Sequence, residues 1–427
     1  MSEREVVIAG TGLTTPLGKN VEENLGGLNA MKTGIAHSPA AHLPDFLQYS
    51  GKVTDFELPQ NIDPKLQGQM KFLNRGATLG FCASFEAVSR FHEKIQGVEP
   101  FRRALYVASG DFTKIGYEFM HPAIKDGTDD WQSIDRARLN SAGLNKVNPF
   151  FLLESLSNNL FSFLSAYVEF MGPNTSLASL SPNGGNALEL AYRSIKQNKA
   201  DIALAVGYGN WITEIPIYEL EGLGILSKCR SGISSYKPFD RNRDGFVPGE
   251  GGAALLLTTT DIAKQWGVEV LGKIRGVENC VEFSSQGLGV AEKVIRRNIV
   301  SVLKGTGCGI DDLACIIPHG SGTLKGDRSE LRSIADVLGD RKPDIPICGL
   351  KPYTGHMGAA SDIAEVVFGI HAVKNKAVPA TLNFHEAEKE FSELRISNSP
   401  QPCGGGFFLS ISYGVGGQSS SVIVEVS

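Results

Sequence analysis

Three stretches of the chain bring together residue types able to do chemistry. In the first, Ser181-Pro182-Asn183-Gly184-Gly185 ends an extended run that begins at Gly172-Pro173-Asn174. Leu188, Ala191, Tyr192 and Ile195 then recur at helical spacing, which predicts a helix through Lys196 with Pro182 at its first position. Ser181 is thus expected at a strand-to-helix elbow, beside free backbone N–H groups and the positive end of a helix dipole, where a nucleophile or an oxyanion is favoured. The same place suits an ordinary N-cap, whose hydroxyl accepts from an N–H two or three residues on, and the two roles are compatible. In the second stretch, Pro318-His319-Gly320-Ser321-Gly322-Thr323 puts a histidine at the end of the strand-like run Ala314 to Pro318. In the third, Lys351-Pro352-Tyr353-Thr354-Gly355-His356 follows the strand-like run Ile345 to Gly349. Two of the eight histidines, each at a strand end in a glycine-rich loop, can offer N–H groups to a developing negative charge or move a proton. Tyr413-Gly414-Val415-Gly416-Gly417-Gln418 adds a glycine turn able to present backbone N–H groups.

Elements that could hold these residues recur along the chain. Asp201 to Val206, Ala253 to Leu257, Phe407 to Ser412 and Ser421 to Val426 are further apolar runs of strand character, and Ala104 to Ala108 reads as a buried strand. A first strand is expected over Glu5 to Ala9, followed by a glycine turn at Gly10-Thr11-Gly12. That turn lacks the third glycine and the distal acid of a dinucleotide fingerprint. Helices are predicted over Val21 to Leu28, over Phe72 to Phe91, and in the aromatic-rich stretch from Phe150 to Phe170. Residues 34–68 read as loop, and the polar stretch from Thr113 to Lys146 as an exposed cap or interface segment. Strands alternating with helices indicate an α/β architecture with buried sheets. Two such series suggest a duplicated layout, with residues 1–260 carrying Ser181 and residues 261–427 carrying His319 and His356.

Composition limits the function classes. The 427 residues are 42% hydrophobic and 20% charged, with a net charge of −5 and no run of like charges, so nothing points to nucleic acid. No signal-peptide pattern and no membrane-length apolar run is present, and a cytoplasmic protein is expected. The seven cysteines, at 82, 229, 280, 308, 315, 348 and 403, form no CxxC pair and none lies in the elbow. Neither a metal site nor a disulfide framework is indicated. Arg102, Arg103, Arg296 and Arg297 are candidates for docking an acidic partner.

These stretches resemble the β-ketoacyl-acyl carrier protein synthases (ketosynthases) of fatty-acid and polyketide assembly. The likeness extends to Val7-Ile8-Ala9-Gly10-Thr11-Gly12, to Pro16-Leu17-Gly18, and to Pro238-Phe239-Asp240-Arg241-Asn242-Arg243-Asp244-Gly245-Phe246-Val247-Pro248-Gly249-Glu250-Gly251. It implies the thiolase fold, two similar halves in five αβαβα layers, and a dimer, either a homodimer or a heterodimer with a cysteine ketosynthase. It implies no bound cofactor, since the substrate rides on the phosphopantetheine of an acyl carrier protein. His319, His356 and Lys351 match the family's catalytic His, His and Lys, and Asp327 and Glu330 match residues that support the first His loop. Gly414, Val415 and Thr323 fall in the oxyanion and pocket region, with Val415 where the family has a gatekeeping phenylalanine. Glu250 reads as structural.

The departure at position 181 is the most informative. The matching family residue is the cysteine that holds the growing acyl chain, and here it is serine. A free thiol ionises near about 8.5, whereas an alcohol needs a general base, so self-acylation and condensation should be weak. Loss of CO2 from a malonyl thioester needs no thiol, only hydrogen bonds to the developing enolate. The resemblance is therefore to the Ser-for-Cys malonyl-carrier decarboxylases of polyketide β-branching cassettes, which yield acetyl-carrier protein. Two other readings remain open. One is a chain-length-factor-type partner subunit paired with a cysteine ketosynthase, which Asp111-Phe112-Thr113 and Glu118-Phe119 resemble in their aromatic character. The other is a serine acyltransferase with a histidine base.

Overall fold

The computed structural model describes residues 4–40, 43–59, 62–110, 117–154, 156–179, 181–282 and 292–426. Its apolar runs assemble into one nine-stranded sheet. Across the sheet the strands are Asn174–Ala178, Arg103–Ser109, Ile202–Asn210, Glu250–Thr259, Val6–Thr14, Gly272–Val281, Gln418–Val426, Gly406–Tyr413 and Leu313–Ile317. Arg103–Ser109 is parallel to both its neighbours, and the next two pairings, to Glu250–Thr259 and then Val6–Thr14, are antiparallel. Leu313–Ile317 is likewise parallel to Gly406–Tyr413 and bridged in parallel to Ile347, with the pairings beyond it antiparallel. Each set of five segments thus has the same order and the same directions. The sets join through Val6↔Ile274, Val7↔Lys273 and Ile8↔Gly272. A right-twisted sheet of this length must curl rather than lie flat.

Helices fill the space on and between the two halves. Asn183–Lys196 and Ala359–Lys374 pack on each other and on strands of both sets, forming the middle layer. Arg75–Ser89 and Asn159–Val168 cover the first set from outside, and Glu292–Thr306 and Leu324–Leu338 cover the second. Ala359–Lys374 is buried almost throughout, as its position between the two halves of the sheet demands. The result is the five-layered αβαβα α/β fold expected of the thiolase architecture.

Several boundaries differ from the sequence reading. The first strand does not stop at Ala9 but continues through Gly10 and Gly12 to Thr14. These glycines make no turn. They let helix Arg75–Ser89 lie directly on the strand, for a Cβ on Gly12 would stand 1.9 Å from the Ala83 carbonyl oxygen and one on Gly10 would stand 2.2 Å from that of Ala87. Gly12→Ala is expected to destabilise the protein by ~1–3 kcal/mol through this overlap, read as a lowered midpoint in thermal unfolding. The long helix is trimmed to Arg75–Ser89 by the Asn74 side chain, which accepts from Ala77 N. The aromatic stretch after Phe150 breaks into Phe151–Glu154 and Asn159–Val168. The stretch read as a cap folds as helices Tyr117–Asp126 and Arg136–Lys146, the second largely exposed. Of the aromatic motif near its start, residues 111–113 lie outside the described residues.

Candidate active site

The elbow forms where Asn174–Ala178 gives way to helix Asn183–Lys196, whose first residue is Asn183 and whose N-cap position is Pro182. Ser181 therefore does not cap the helix and Pro182 is not its first residue. The capping acceptor comes instead from the other half of the chain. Asp362, in the first turn of helix Ala359–Lys374, accepts from Gly184 N at 2.9 Å through Oδ2. Its Oδ1 accepts from Ser181 Oγ at 2.8 Å. Both side chains are buried. Glycine at 184 is required here, since a Cβ would meet the Ala359 carbonyl oxygen at 2.2 Å. The glycine turn after Tyr413 closes over the elbow just as tightly, with Gly414 so near the Ser181 carbonyl that a Cβ would stand 2.0 Å from it.

The two histidines meet across the cavity floor. Nε2 of His319 and Nε2 of His356 are 3.3 Å apart, and both rings are buried. His356 is held through its backbone by the segment around Pro248, donating from N to Val247 O at 2.9 Å and accepting from Gly249 N at 2.9 Å. Its Nδ1 accepts from Gly358 N at 3.2 Å, so in the neutral ring the proton sits on Nε2 and faces the cavity. Trp211 stacks on the ring at 4.5 Å between centroids and is fixed by its Nε1–H to Gly110 O at 2.5 Å. His319 is fixed by its loop rather than its ring. Its N–H and that of Gly320 donate to the two oxygens of Glu330 at 2.7 and 2.9 Å, while Asp327 accepts from Gly322 N and Ser321 Oγ at 2.9 and 3.0 Å. The support expected of Asp327 and Glu330 is thus explicit. The His319 ring rests against Tyr413, 4.3 Å between centroids.

Lys351 lies beneath the pair, 1% exposed. Its Nζ donates to the His319 carbonyl at 2.6 Å and to Glu365 Oε1 at 2.7 Å, and it bonds to neither imidazole. Burial first, and the Lys351 charge second, push both imidazoles well below the usual 6.5. The two rings are therefore neutral donors and acceptors at pH 7, not cations. An ordinary imidazole is half-protonated near about 6.5; the Cε1–H NMR signals of His319 and His356 are expected to stay unshifted through that pH and to move only well below it.

Ser181, His319, His356, Thr323, Gly414 and Val415 all line one cavity of about 240 Å³, walled elsewhere by Trp211 and Phe246. Thr323 also caps helix Leu324–Leu338, its hydroxyl accepting from Gly326 N at 3.2 Å. Lys351 supports this cavity without lining it. Glu250 stands apart as a buried carboxylate paired with Arg75 at 2.7 Å and taking Val53 N at 3.0 Å. The four arginines do not make one basic face. Arg103 is buried on backbone carbonyls, Arg102 pairs with Asp201, and Arg296 faces Asp336 on the other half. Three site residues escaped sequence reasoning, namely Asp362, Glu365 and Trp211. The i, i+3 spacing of Asp362 and Glu365 in an otherwise apolar helix was a signal available in the sequence, since buried charges there need partners. Among the described residues no cluster of side chains suits a metal ion, and no helix is long and apolar enough to cross a membrane.

Two family models and a number of known proteins match this chain. The model for the β-ketoacyl synthase N-terminal domain matches residues 3–263, and that for the C-terminal domain matches residues 283–385. The 3-oxoacyl-[acyl-carrier-protein] synthase 2 of Synechocystis sp. is 25% identical over 98% of this chain and 97% of its own. The chloroplastic 3-oxoacyl-[acyl-carrier-protein] synthase I of Hordeum vulgare is 26% identical over 98% of this chain and 88% of its own. Among solved structures, a chain of the complex of a type II polyketide acyl carrier protein with its ketosynthase bound to the hexaketide superposes with a TM-score of 0.84 at 22% identity, covering 100% of both chains. The ishigamide ketosynthase/chain length factor gives 0.85 at 19% identity over 100% of both chains.

Proposed function

Because this chain belongs to the β-ketoacyl synthase family, we propose that it performs one half of ketosynthase chemistry, removing CO2 from a malonyl group on the phosphopantetheine of an acyl carrier protein and leaving acetyl. The observation that carries this reading is the close pair of neutral imidazoles beside a serine that bonds to neither of them. With Nε2 atoms 3.3 Å apart, one thioester oxygen placed against both rings can receive two N–H bonds. His356 already carries its proton on that side and donates it to His319 Nε2; a substrate oxygen that takes over this bond lets His319, whose Nδ1 has no partner among the described residues, shift to the Nε2–H tautomer and donate as well.

The electrons then have a defined path. The bond between the α-carbon and the carboxylate breaks, CO2 leaves, and the electron pair passes into an enolate whose oxygen the imidazoles hold. A neutral pair suits this task, because it stabilises charge that appears only in the transition state without binding the malonate carboxylate as a counter-ion. The enolate carbon takes a proton, and the product is the acetyl thioester. Carbon–carbon bond formation needs an acyl group on residue 181, and a serine can offer only an oxygen ester, a poorer acceptor for an enolate than a thioester. The small cavity fits a short acyl group.

The test is release of labelled CO2 from malonyl-carrier protein by the purified chain alone. Release supports the reading. Release that begins only when a cysteine-bearing ketosynthase is added would mark a partner subunit instead.

A further inference from the structure

The mechanism above leaves one buried pair unused. Ser181 Oγ and Asp362 Oδ1 are 2.8 Å apart, each residue is 4% exposed, and the serine also lines the cavity. Every described hydrogen-bonding neighbour of Asp362 donates to it: the Ser181 hydroxyl, Gly184 N and the Ser412 hydroxyl. A carboxyl group surrounded by donors is an acceptor; burial raises it above its ordinary value, against the pull of the Lys351 cation and of these three donors, which suits a group that must take up a proton. The hydroxyl proton of Ser181 is thereby directed into the protein, which leaves its oxygen lone pairs toward the cavity. Serine nucleophiles need this arrangement, an adjacent base within hydrogen-bond reach.

We infer that Asp362 is the general base for an acyl transfer in which a short acyl group passes from a thioester to the Ser181 hydroxyl. As Oγ attacks the thioester carbonyl carbon, its proton moves to Asp362 Oδ1 and the carbonyl electrons move onto oxygen. The tetrahedral species collapses with loss of the thiolate, which takes the proton back from Asp362. One C–S bond breaks, one C–O bond forms, and the products are acyl-Ser181 and a free thiol, with no other reactant. The base is a carboxylate from the other half of the chain, not either histidine, so both imidazoles stay available to the oxyanion. This activity goes beyond decarboxylation and does not rest on it. Its substrate is an acetyl-type thioester, which also happens to be the product proposed above.

The experiment incubates the full chain with the acetyl thioester of N-acetylcysteamine and follows intact mass, peptide mapping and free thiol. The expected result is one acetyl group on the peptide carrying Ser181, or Ser181-dependent thiol release where the ester turns over. Asp362→Asn keeps the side-chain shape and is expected to slow the step by at least ~10²-fold, the usual contribution of a general base. A cap-only role for Asp362 is separated by repeating the change in a Ser181→Cys background. A thiol ionises without that base, so there Asp362→Asn should cost less than about tenfold. Equal losses in the two backgrounds would overturn the inference, and so would a wild-type chain that neither gains acetyl nor releases thiol. CO2 release from malonyl-carrier protein, measured separately, does not bear on either outcome.

Discussion

His356→Ala is expected to lower the rate of CO2 loss from malonyl-carrier protein by ~10²–10³-fold, the usual cost of deleting one oxyanion donor. The ring is rigid on every side, with Trp211 stacked on it, Gly358 N fixing its tautomer and the Val247 to Gly249 segment holding its backbone. Its loss removes a donor that is aimed before substrate arrives. His319→Ala has an effect of the same order. The double variant loses less than the product of the two single losses, because both donors serve one oxygen and act as a unit. Ser181→Ala is expected to leave CO2 loss within a few-fold of the wild-type rate, since its hydroxyl is bonded to Asp362 and not to the imidazoles. Rates of malonyl-carrier consumption for the four variants check the whole set.

Lys351→Met is expected to cost ~3–5 kcal/mol of stability, the penalty for stripping a buried charge of its partner. Lys351 Nζ compensates Glu365 and the His319 carbonyl at once, both deep in the middle of the molecule. Burial pushes the Glu365 carboxyl up to about 8, against the pull of the Lys351 charge. Without the lysine, the Glu365 carboxyl rises further and the His319 loop loses its anchor. The double variant Lys351→Met/Glu365→Leu should recover most of the loss, because replacing a buried ion pair by apolar groups of similar size is often neutral. Urea unfolding midpoints of the two variants against wild type give the comparison.

Much of this fold can be read from local pattern, and much of the site cannot. Buried runs such as Ala104 to Ala108 and Asp201 to Val206 declare themselves as strands because a sheet covered on both faces wants unbroken apolar residues. Gly10 and Gly12 mislead for a physical reason: a glycine that admits a helix to a strand looks the same in sequence as one that turns the chain. The convergence of Ser181, His319 and His356 follows from their strand-end positions and the family likeness, and the structure places them on one cavity. Asp362 is different. It lies 181 residues from Ser181, and nothing local to either residue shows that the helix carrying it crosses the elbow. The N-cap expected of Ser181 is a real need of helix Asn183–Lys196, but a residue distant in sequence meets it. Local reasoning found the requirement and missed the donor's partner.

Decarboxylation without condensation is expected of this ketosynthase-family chain. The deciding measurement weighs the carrier protein after the chain alone has been given malonyl-carrier protein together with an acetyl-primed carrier. The expected product is acetyl-carrier protein formed at the expense of malonyl, absent in the His319→Ala and His356→Ala variants, with no β-ketoacyl-carrier protein. A β-ketoacyl species, or malonyl-carrier protein left unchanged, would contradict it.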